Sequence, residues 1–285
     1  MNLTTVIVLF IIVVCSSQGA CFLKENKTVS VANIKSIPSL EGQWPFIASF
    51  MSIPEREFLK NRIFDDEHYI CTGAIVGYRW VITSYQCIYP LLHNGNYTIV
   101  YTSSTKPLSG ISHALKHYHL PINLFPYLPV GVDICLLELD EFIFNDNVTK
   151  SLDISMKKDL KEYDNMTIVG YSWFRDINDS TTLHNAKHSS ISFLSIGNCE
   201  HKEYNFLICV GGDINEDEED NVKYQFNDAS PLITQINGDY MLTGMVVRPS
   251  TINNNNTRRL QATATFLPVW CDWIRYITKE EVVCK

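Results

Sequence analysis

The sequence lacks features that mark several large classes of protein. It has no excess of positive charge, because 23 Lys and Arg stand against 31 Asp and Glu and leave a formal net charge of −8. Nucleic acid and anionic membranes repel an acidic chain, so neither is expected as its main partner. The sequence also has no internal repeat and no Cys-x-x-Cys pair, the spacing typical of structural zinc sites. We therefore expect no metal, no cofactor, no nucleic-acid partner and no membrane partner.

Long apolar runs are also scarce, and the one strongly apolar run, residues 6–14, is too short to span a bilayer. Ser17 and Gly19 follow it and offer small residues for cleavage, so residues 1–19 are predicted to be a secretory signal peptide. The absence of Lys or Arg before the run departs from the usual signal, and a signal anchor is the alternative. Residues 20–40 are then an N-terminal segment, and the mature chain is expected to be secreted and extracellular.

The cysteines and the glycosylation sequons are also typical of an extracellular protein. Of nine cysteines, Cys15 leaves with the signal, and the remaining eight are an even number, as expected for disulfides in an oxidising environment. Six Asn-x-Ser/Thr sequons lie in the mature chain and indicate a glycosylated surface. The predicted glycosylation sites are Asn26, Asn96, Asn147, Asn165, Asn178 and Asn255.

Short runs of β-branched and aromatic residues recur between turn signals and predict an all-β protein built as a sandwich or a pair of barrels. The predicted strands are 46–51, 73–83, 97–101, 134–139, 167–171, 189–194, 205–210, 231–236 and 240–247. Residues 270–280 carry apolar side chains at helical spacing and are predicted to form a terminal amphipathic helix. Two polar runs, 213–220 and 253–256, are predicted to be solvated loops, with calcium binding by the first as an alternative.

Several segments, taken in order, resemble segments of one known family. Residues 42–46, Gly-Gln-Trp-Pro-Phe, resemble a Trp-Pro segment near the start of that family's domain. The segment from Cys71 to Cys87 resembles a strand and turn that ends in Ala-Ala-His-Cys. Residues 133–137, Asp-Ile-Cys-Leu-Leu, resemble a segment that carries an aspartate, and residues 269–274 resemble a C-terminal helix. Together these segments resemble the chymotrypsin/trypsin-like serine proteases. The resemblance implies two six-stranded antiparallel β-barrels with a C-terminal α-helix, in a protease-like domain over residues 41–283.

The same resemblance places other residues at two of the three catalytic positions. Gln86 fills the slot of the histidine that accepts the nucleophile's proton, and a glutamine amide is no base near neutral pH. Residues 227–232, Asn-Asp-Ala-Ser-Pro-Leu, occupy the slot of Gly-Asp-Ser-Gly-Gly-Pro-Leu, with Ala229 in the serine position when the two aspartates are aligned. Asp133 is retained, and we expect it to be a buried hydrogen-bond partner of Gln86 or of nearby backbone. No catalytic residue is therefore assigned.

Activation by cleavage is not expected either. The position of the family's Ile-Val-Gly-Gly holds Asn-Ile-Lys-Ser, residues 33–36, without the glycine pair, so the chain is expected to work uncut. The family's spacing implies the disulfides Cys71–Cys87 and Cys199–Cys209. Proximity in the family's fold suggests Cys135–Cys271 and Cys21–Cys284 for the other four cysteines.

The histidines offer no evident replacement for the missing base. His113 and His117 are four residues apart, which is a metal-binding spacing only in a helix, and a strand is favoured around them and His119. The other histidines lie in polar stretches and are predicted to be surface residues: His68, His93, His184, His188 and His201.

The sequence therefore predicts a secreted, non-catalytic serine protease homologue that binds or regulates other secreted proteins, such as proteases, zymogens or inhibitors. The resemblance implies an invertebrate homologue whose scaffold is a rigid platform with variable loops. The alternative is a serine-type endopeptidase with a rearranged site, in which Ser230, the one hydroxyl near the nucleophile position, acts with a distant histidine. An extracellular storage or toxin-like protein is a third interpretation, which the sequence does not separate from the first.

Overall fold

The computed structural model describes residues 13–15, 21–23, 31–35, 37–54, 69–94, 96–102, 104–121, 132–143, 148–162, 164–175, 181–194, 205–214, 229–254 and 257–285. Contacts divide the chain into two units, Met1–Ser30 and Val31–Lys285. In the first unit, β1 (Val13–Cys15) pairs antiparallel with β2 (Cys21–Leu23). The second unit begins with two short strands, β3 (Asn33–Ile34) and β4 (Ile37–Pro38), and continues into two barrels.

The first barrel is a closed ring of six antiparallel strands. They are β5 (Ile47–Pro54), β6 (Tyr69–Ile75), β7 (Trp80–Thr83), β8 (Asn96–Thr102), β9 (Ile111–His119) and β10 (Cys135–Leu139). Their order around the ring is β10-β7-β6-β5-β8-β9, and the pairing of β9 with β10 closes it. A helix, α1 (Tyr85–Asn94), connects β7 to β8.

The hairpin of β6 and β7 shows how the sequence produces this barrel. Its aliphatic residues face the core, and Ile82, for example, is fully buried. Residue 73 is a glycine at a close approach, since a Cβ there would lie 2.4 Å from the Phe50 ring and 2.8 Å from the Ile82 carbonyl oxygen. The prediction of one strand over 73–83 is wrong, because the chain turns after Ile75 and returns as β7.

The second barrel is also a closed antiparallel ring. Its strands are β11 (Asn165–Arg175), β12 (Thr181–Leu194), β13 (Leu207–Ile214), β14 (Pro231–Ile236), β15 (Asp239–Asn254) and β16 (Thr257–Phe266). The order is β13-β16-β15-β14-β11-β12, and a pairing of β12 with β13 closes the ring. A 3-10 turn, Leu267–Val269, leads into the C-terminal helix α2 (Cys271–Thr278). The prediction of two six-stranded barrels with a C-terminal helix is confirmed.

Aliphatic side chains fill the interior of the second barrel. Ile168, Ile191, Val210, Leu232 and Val246 each come from a different strand and are fully buried. Burying one such side chain contributes about 1.5–3 kcal/mol to folding. A second, larger apolar cluster combines side chains from both barrels and from α2, so the two barrels pack against each other through shared apolar contacts.

The segment before the first barrel is joined to the second barrel by backbone pairing. β3 pairs in parallel with β13, and β4 pairs antiparallel with β12. The Ile34 side chain is fully buried in the second barrel's core, and the Ala32 N–H donates to the Ser192 hydroxyl at 2.9 Å. Gly212 on β13 makes room for the segment, because a Cβ there would lie 2.5 Å from Ile34. The segment is thus an integral part of the sheet.

The disulfides correct part of the predicted pairing. The Cys71–Cys87 bridge is confirmed. The predicted pairs Cys135–Cys271 and Cys21–Cys284 are wrong, because Cys271, at the start of α2, is bonded to Cys284. After α2 the chain reverses through left-handed backbone at Lys279 and Glu280, which returns Cys284 to the start of the helix.

The remaining cysteines of the second unit fall into two states. Cys135 is a free thiol, fully buried on β10. Cys209 on β13 is disulfide-bonded, and its predicted partner, Cys199, lies outside the described residues.

Some strands contain many polar residues, and these are harder to predict from the sequence. The strand favoured around His113 and His117 is confirmed as β9. Residues 253–254, predicted to be loop, instead continue β15, and their register pairs them with β16, which was not predicted. Pairing of backbone groups, rather than an apolar face, extends these strands. Most of the acidic run, residues 215–220, lies outside the described residues.

Candidate functional site

The structure places Gln86 in the first turn of α1, directly after β7. The helix begins here because the Ser84 hydroxyl accepts the backbone N–H of Cys87, three residues on, at 3.2 Å. The disulfide from Cys87 to Cys71 ties the same turn to β6. The Gln86 side chain is exposed, and its amide neither accepts nor releases a proton near neutral pH.

Asp133 lies two residues before β10 and is buried. Its carboxylate Oδ1 accepts the backbone N–H of Gln86 at 2.8 Å, and its own carbonyl accepts the Thr265 hydroxyl at 2.9 Å. The first bond falls at the N-terminus of α1, where unpaired N–H groups and the helix dipole favour a negative charge. The expectation that Asp133 is a buried hydrogen-bond partner of residue 86 is confirmed, with the backbone as the donor.

The backbone at the expected serine position is built into the sheet. Ala229 is fully buried and has a φ of 65°, in the left-handed region. Its N–H donates to the Val246 carbonyl at 2.6 Å, and the Val246 N–H donates to the Ser230 carbonyl at 2.9 Å. Serine proteases use backbone N–H groups beside the nucleophile to stabilise the oxyanion. Here the Ala229 N–H is already bonded to Val246.

Ser230 is fully buried, and its Oγ has no hydrogen-bond partner among the residues that the structure describes. Pro231 follows it and pairs with Met245 at the start of β14, which fixes the register of this segment. Counted back from Pro231, Asp228 rather than Ala229 stands where the protease pattern has its serine. Both alignments therefore leave the slot without a serine. Asp228 itself lies outside the described residues.

Two histidines on β9 have partners of their own. The His113 ring is 3% exposed, and its Nε2 lies 3.1 Å from the Thr102 hydroxyl. His119 Nε2 lies 3.8 Å from the Glu138 carboxylate. Burial lowers the pKa of His119, and the negative charge of Glu138 opposes that shift. Both rings therefore contribute to the packing and polar contacts of the first barrel.

His188, which was predicted to be a surface residue, is partly buried. It lies on β12 beside β4, its ring centroid is 5.3 Å from that of Trp44, and its Nδ1 is 3.1 Å from the Ser39 hydroxyl. Burial lowers its pKa. The other histidines predicted at the surface, His68, His93, His184 and His201, lie outside the residues whose side chains are described.

Three tyrosines, Tyr85 and Tyr89 on α1 and Tyr118 on β9, lie near one another, and we call them the tyrosine surface. The Tyr85 and Tyr89 rings, four residues apart on α1, form an edge-to-face pair at 5.7 Å. Burial, and then the nearby phenols of Tyr89 and Tyr118, raise the pKa of Tyr85. Tyr89 and Tyr118 remain 46% and 44% exposed. This group was not predicted because α1 was not predicted, although the spacing of Tyr85 and Tyr89 is helical.

The structure describes two of the predicted glycosylation sites. Asn165 is exposed at the start of β11, and Asn96 begins β8. The other four lie outside the described residues: Asn26, Asn147, Asn178 and Asn255.

Among the residues in the described ranges, no three His, Cys, Asp or Glu side chains are arranged to hold a metal ion. No helix in those ranges combines the length and the apolar character needed to cross a bilayer.

Comparison with known proteins gives two findings. The sequence model of the trypsin family matches residues 36–220, which is more than half of the chain. Coagulation factor IX of Oryctolagus cuniculus is 24% identical over 191 residues, which cover 62% of this chain and 65% of that relative. The chain thus spans just under two thirds of the length of this relative.

Proposed function

Because the chain belongs to the trypsin family, we propose that it is a secreted member without catalytic activity, which acts by binding other secreted proteins. Its partners are proteases, zymogens or inhibitors, and the two barrels serve as a rigid platform for that contact. The predicted signal peptide and the sequons support secretion, as does a fold that carries disulfides.

One observation carries the proposal: position 86, whose backbone N–H bonds to the Asp133 carboxylate, holds glutamine and not histidine. Aspartate in a triad orients an imidazole that removes the proton of the nucleophile. The Asp133 carboxylate instead accepts the backbone N–H of Gln86, whose exposed amide cannot take up that proton. The buried hydroxyl of Ser230 and the Ala229 N–H bonded to Val246 are further support. Loss of triad residues costs on the order of a million-fold in turnover.

The tyrosine surface supports a binding role for the same region. Tyrosine is enriched at protein interfaces because its ring offers a large apolar area with few rotatable bonds, and its hydroxyl remains satisfied in water. Tyr89 and Tyr118 are close to half exposed, and both influence the phenol of Tyr85, which directly precedes Gln86 in the sequence. A partner that docks over this group would cover both exposed rings.

A fluorophosphonate probe, which reacts with an activated serine, tests the loss of catalysis. The full-length secreted chain and an active trypsin-family protease are incubated with the probe in parallel, and the covalent adduct is measured by intact mass. We expect the protease to be labelled and this chain to remain unmodified. Labelling that is abolished by Ser230→Ala would establish the alternative, an endopeptidase with a rearranged site, and would refute the proposal.

Binding is tested separately from catalysis. The partner is first captured from the native secretion on the immobilised chain and identified by mass spectrometry, and its affinity is then measured with purified components. We expect Tyr89→Ala and Tyr118→Ala to weaken that affinity about tenfold or more, as truncation of an interface aromatic does. The matched control is Tyr276→Ala, a tyrosine that is 81% exposed on α2. If all three variants bind the partner with the affinity of the unaltered chain, the tyrosine surface is excluded as the interface.

A further inference from the structure

The short strand β4 lies on the second barrel without burying its own side chains. Both of its residues, Ile37 and Pro38, are exposed. The preceding strand β3 differs, because its Ile34 is fully buried in the core of that barrel. Hydrophobic burial therefore anchors β3, whereas β4 depends on the polar contacts of the chain around it.

Three polar contacts join the chain around β4 to β12. The Ser189 hydroxyl donates to the Lys35 carbonyl before β4. The Ser39 N–H, directly after β4, donates to the Ala186 carbonyl at 2.9 Å. The Ser39 hydroxyl lies 3.1 Å from His188 Nδ1. Of these three contacts, only the last includes a side chain that titrates between about pH 5 and pH 8.

The neighbouring Trp44 determines the direction of the bond between Ser39 and His188. Trp44 Nε1 can only donate, and it lies 3.1 Å from the Ser39 hydroxyl oxygen, which therefore accepts this bond. The Ser39 hydroxyl hydrogen is then available to His188 Nδ1, which accepts it when the imidazole is neutral and carries its proton on Nε2. The Trp44 ring also packs against the imidazole, with centroids 5.3 Å apart. Ser39 thus joins a tryptophan and a neutral histidine at the end of β4.

Protonation of His188 disturbs this arrangement. A hydrogen on Nδ1 opposes the Ser39 hydroxyl hydrogen, so Ser39 has to accept two bonds while its own hydrogen loses the imidazole as acceptor. The added positive charge also occupies a half-buried position, where charge is less stable than in water. Both effects favour a state in which the imidazole and Ser39 have separated.

No charged neighbour offsets the cost of that proton. The residue paired with His188 on β11 is Val169. Burial alone lowers the pKa of His188, and none of the charged or titratable residues on the adjoining segments shifts it. Those residues are Lys35, Glu41, Lys187, Asp239 and Tyr240. Glu41, the nearest carboxylate in sequence to Ser39, is bonded to the Thr105 hydroxyl at 2.6 Å.

We propose that His188 is a pH-dependent latch for β4: its neutral ring holds the chain around β4 on β12, and its protonation releases β4 while β3 stays in place. A lowered pKa in the docked state means that the released state binds the proton more tightly. Docking is therefore most stable above the ordinary histidine pKa of about 6.5 and weakens as the pH falls below it. The latch concerns the N-terminal segment and does not depend on the proposed loss of catalysis.

Hydrogen exchange of the Ser39 amide tests the latch in the full chain, because the bond from this amide to Ala186 requires docking. Exchange is measured by mass spectrometry with residue resolution at about pH 7.5 and about pH 5.5, on either side of the histidine pKa. Each rate is divided by that of an unstructured peptide at the same pH. We expect the protection of Ser39 to fall severalfold at the lower pH, by at most about tenfold per pH unit, as one proton permits.

The Asp213 amide is the internal control, since its N–H donates to the Ala32 carbonyl at 2.9 Å and so reports the docking of β3. We expect its protection to be the same at both pH values. Unchanged protection of Ser39, or an equal loss at Asp213, would overturn the latch, because the first shows no release and the second shows loosening of the whole sheet.

Two substitutions assign the effect to His188. His188→Gln keeps a hydrogen-bonding side chain that does not titrate, and it is expected to make the protection of Ser39 equal at both pH values. His119→Gln is the matched control, since His119 is also half-buried and has a pKa lowered by burial, but lies on β9 of the first barrel; it is expected to keep the pH dependence. A His188→Gln chain that retains the pH dependence contradicts the latch.

NMR titration of the His188 ring in the unaltered chain gives a second measurement that needs no substitution. We expect its midpoint to lie below about pH 6.5 and to coincide with the pH at which the protection of Ser39 falls. A His188 ring that becomes protonated while Ser39 keeps its full protection would refute the coupling between the two residues.

Discussion

The contact between Asp133 and Gln86 uses the backbone of Gln86 and not its side chain. The Asp133 carboxylate accepts the N–H at the second position of α1, and every residue except proline supplies that N–H. A change of side chain at position 86 therefore leaves this bond and the start of the helix intact. Asp133 thus keeps a structural contact at this turn whichever side chain stands at position 86.

Restoring the two catalytic side chains is not expected to restore catalysis. In Gln86→His/Ala229→Ser, the Ala229 position would still have left-handed backbone, and its N–H would still donate to Val246 instead of to an oxyanion. We expect peptide hydrolysis to stay at the background of the unaltered chain, on the order of a million-fold below a complete triad enzyme. A chromogenic peptide assay measures this, with Gln86→His alone as the control. Turnover in the double variant well above that control would show that the backbone can form a working site.

Cys135 provides a prediction about reactivity. Burial raises the pKa of its thiol, so the group remains protonated at about pH 8.5, where an ordinary thiol is half ionised. Iodoacetamide added at that pH should leave Cys135 unmodified in the folded chain and should modify it after unfolding in urea. Mass spectrometry of the peptide that contains Cys135 measures both states. Modification of the folded chain at the unfolded rate would contradict the burial of this residue.

At the scale of elements, α1 depends on two groups at its first turn, the Ser84 hydroxyl and the Asp133 carboxylate. Ser84→Ala removes the N-cap, and we expect the free energy of unfolding to fall by about 1 kcal/mol. Urea denaturation measures the change as a shift of the midpoint at constant slope. Ser190→Ala, on the exposed face of β12, is the control and should change stability little. An equal effect of the two substitutions would show that Ser84 does not act as a cap.

The elements also show which features of the chain a single sequence can reveal. The two barrels were predictable because ordered segments around Cys71, Asp133 and the C-terminal helix resemble one family and imply one topology. The Cys271–Cys284 bridge was not predictable, because it depends on a reversal of the chain through left-handed backbone at residues 279–280. The helix α1 was missed because Ser84 and Asp133 determine its start, and Asp133 is 47 residues away from Gln86 in the sequence.

At the scale of the whole molecule, the candidate surfaces are built from residues that are far apart in sequence. A groove combines segments near positions 77, 150 and 282, and the tyrosine surface combines α1 with β9. No spacing or composition signal connects such segments before the barrels bring them together. Both surfaces therefore exist only in the folded second unit.

Cleavage after Lys35 is predicted to destabilise the second unit and not to activate it. The Ile34 side chain before the cut is fully buried, and β3 and β4 on either side of it pair with β13 and β12. Release of β3 would remove Ile34 from the core, so we expect a loss of about 2 kcal/mol or more in the free energy of unfolding and no gain of hydrolysis. Limited trypsin treatment followed by thermal unfolding measures the loss. Lys35→Gln, which changes only an exposed side chain, should resist the cut and keep its midpoint. A cleaved chain that keeps the midpoint of the uncut chain, or that begins to hydrolyse peptides, would show that this segment is an activation peptide after all.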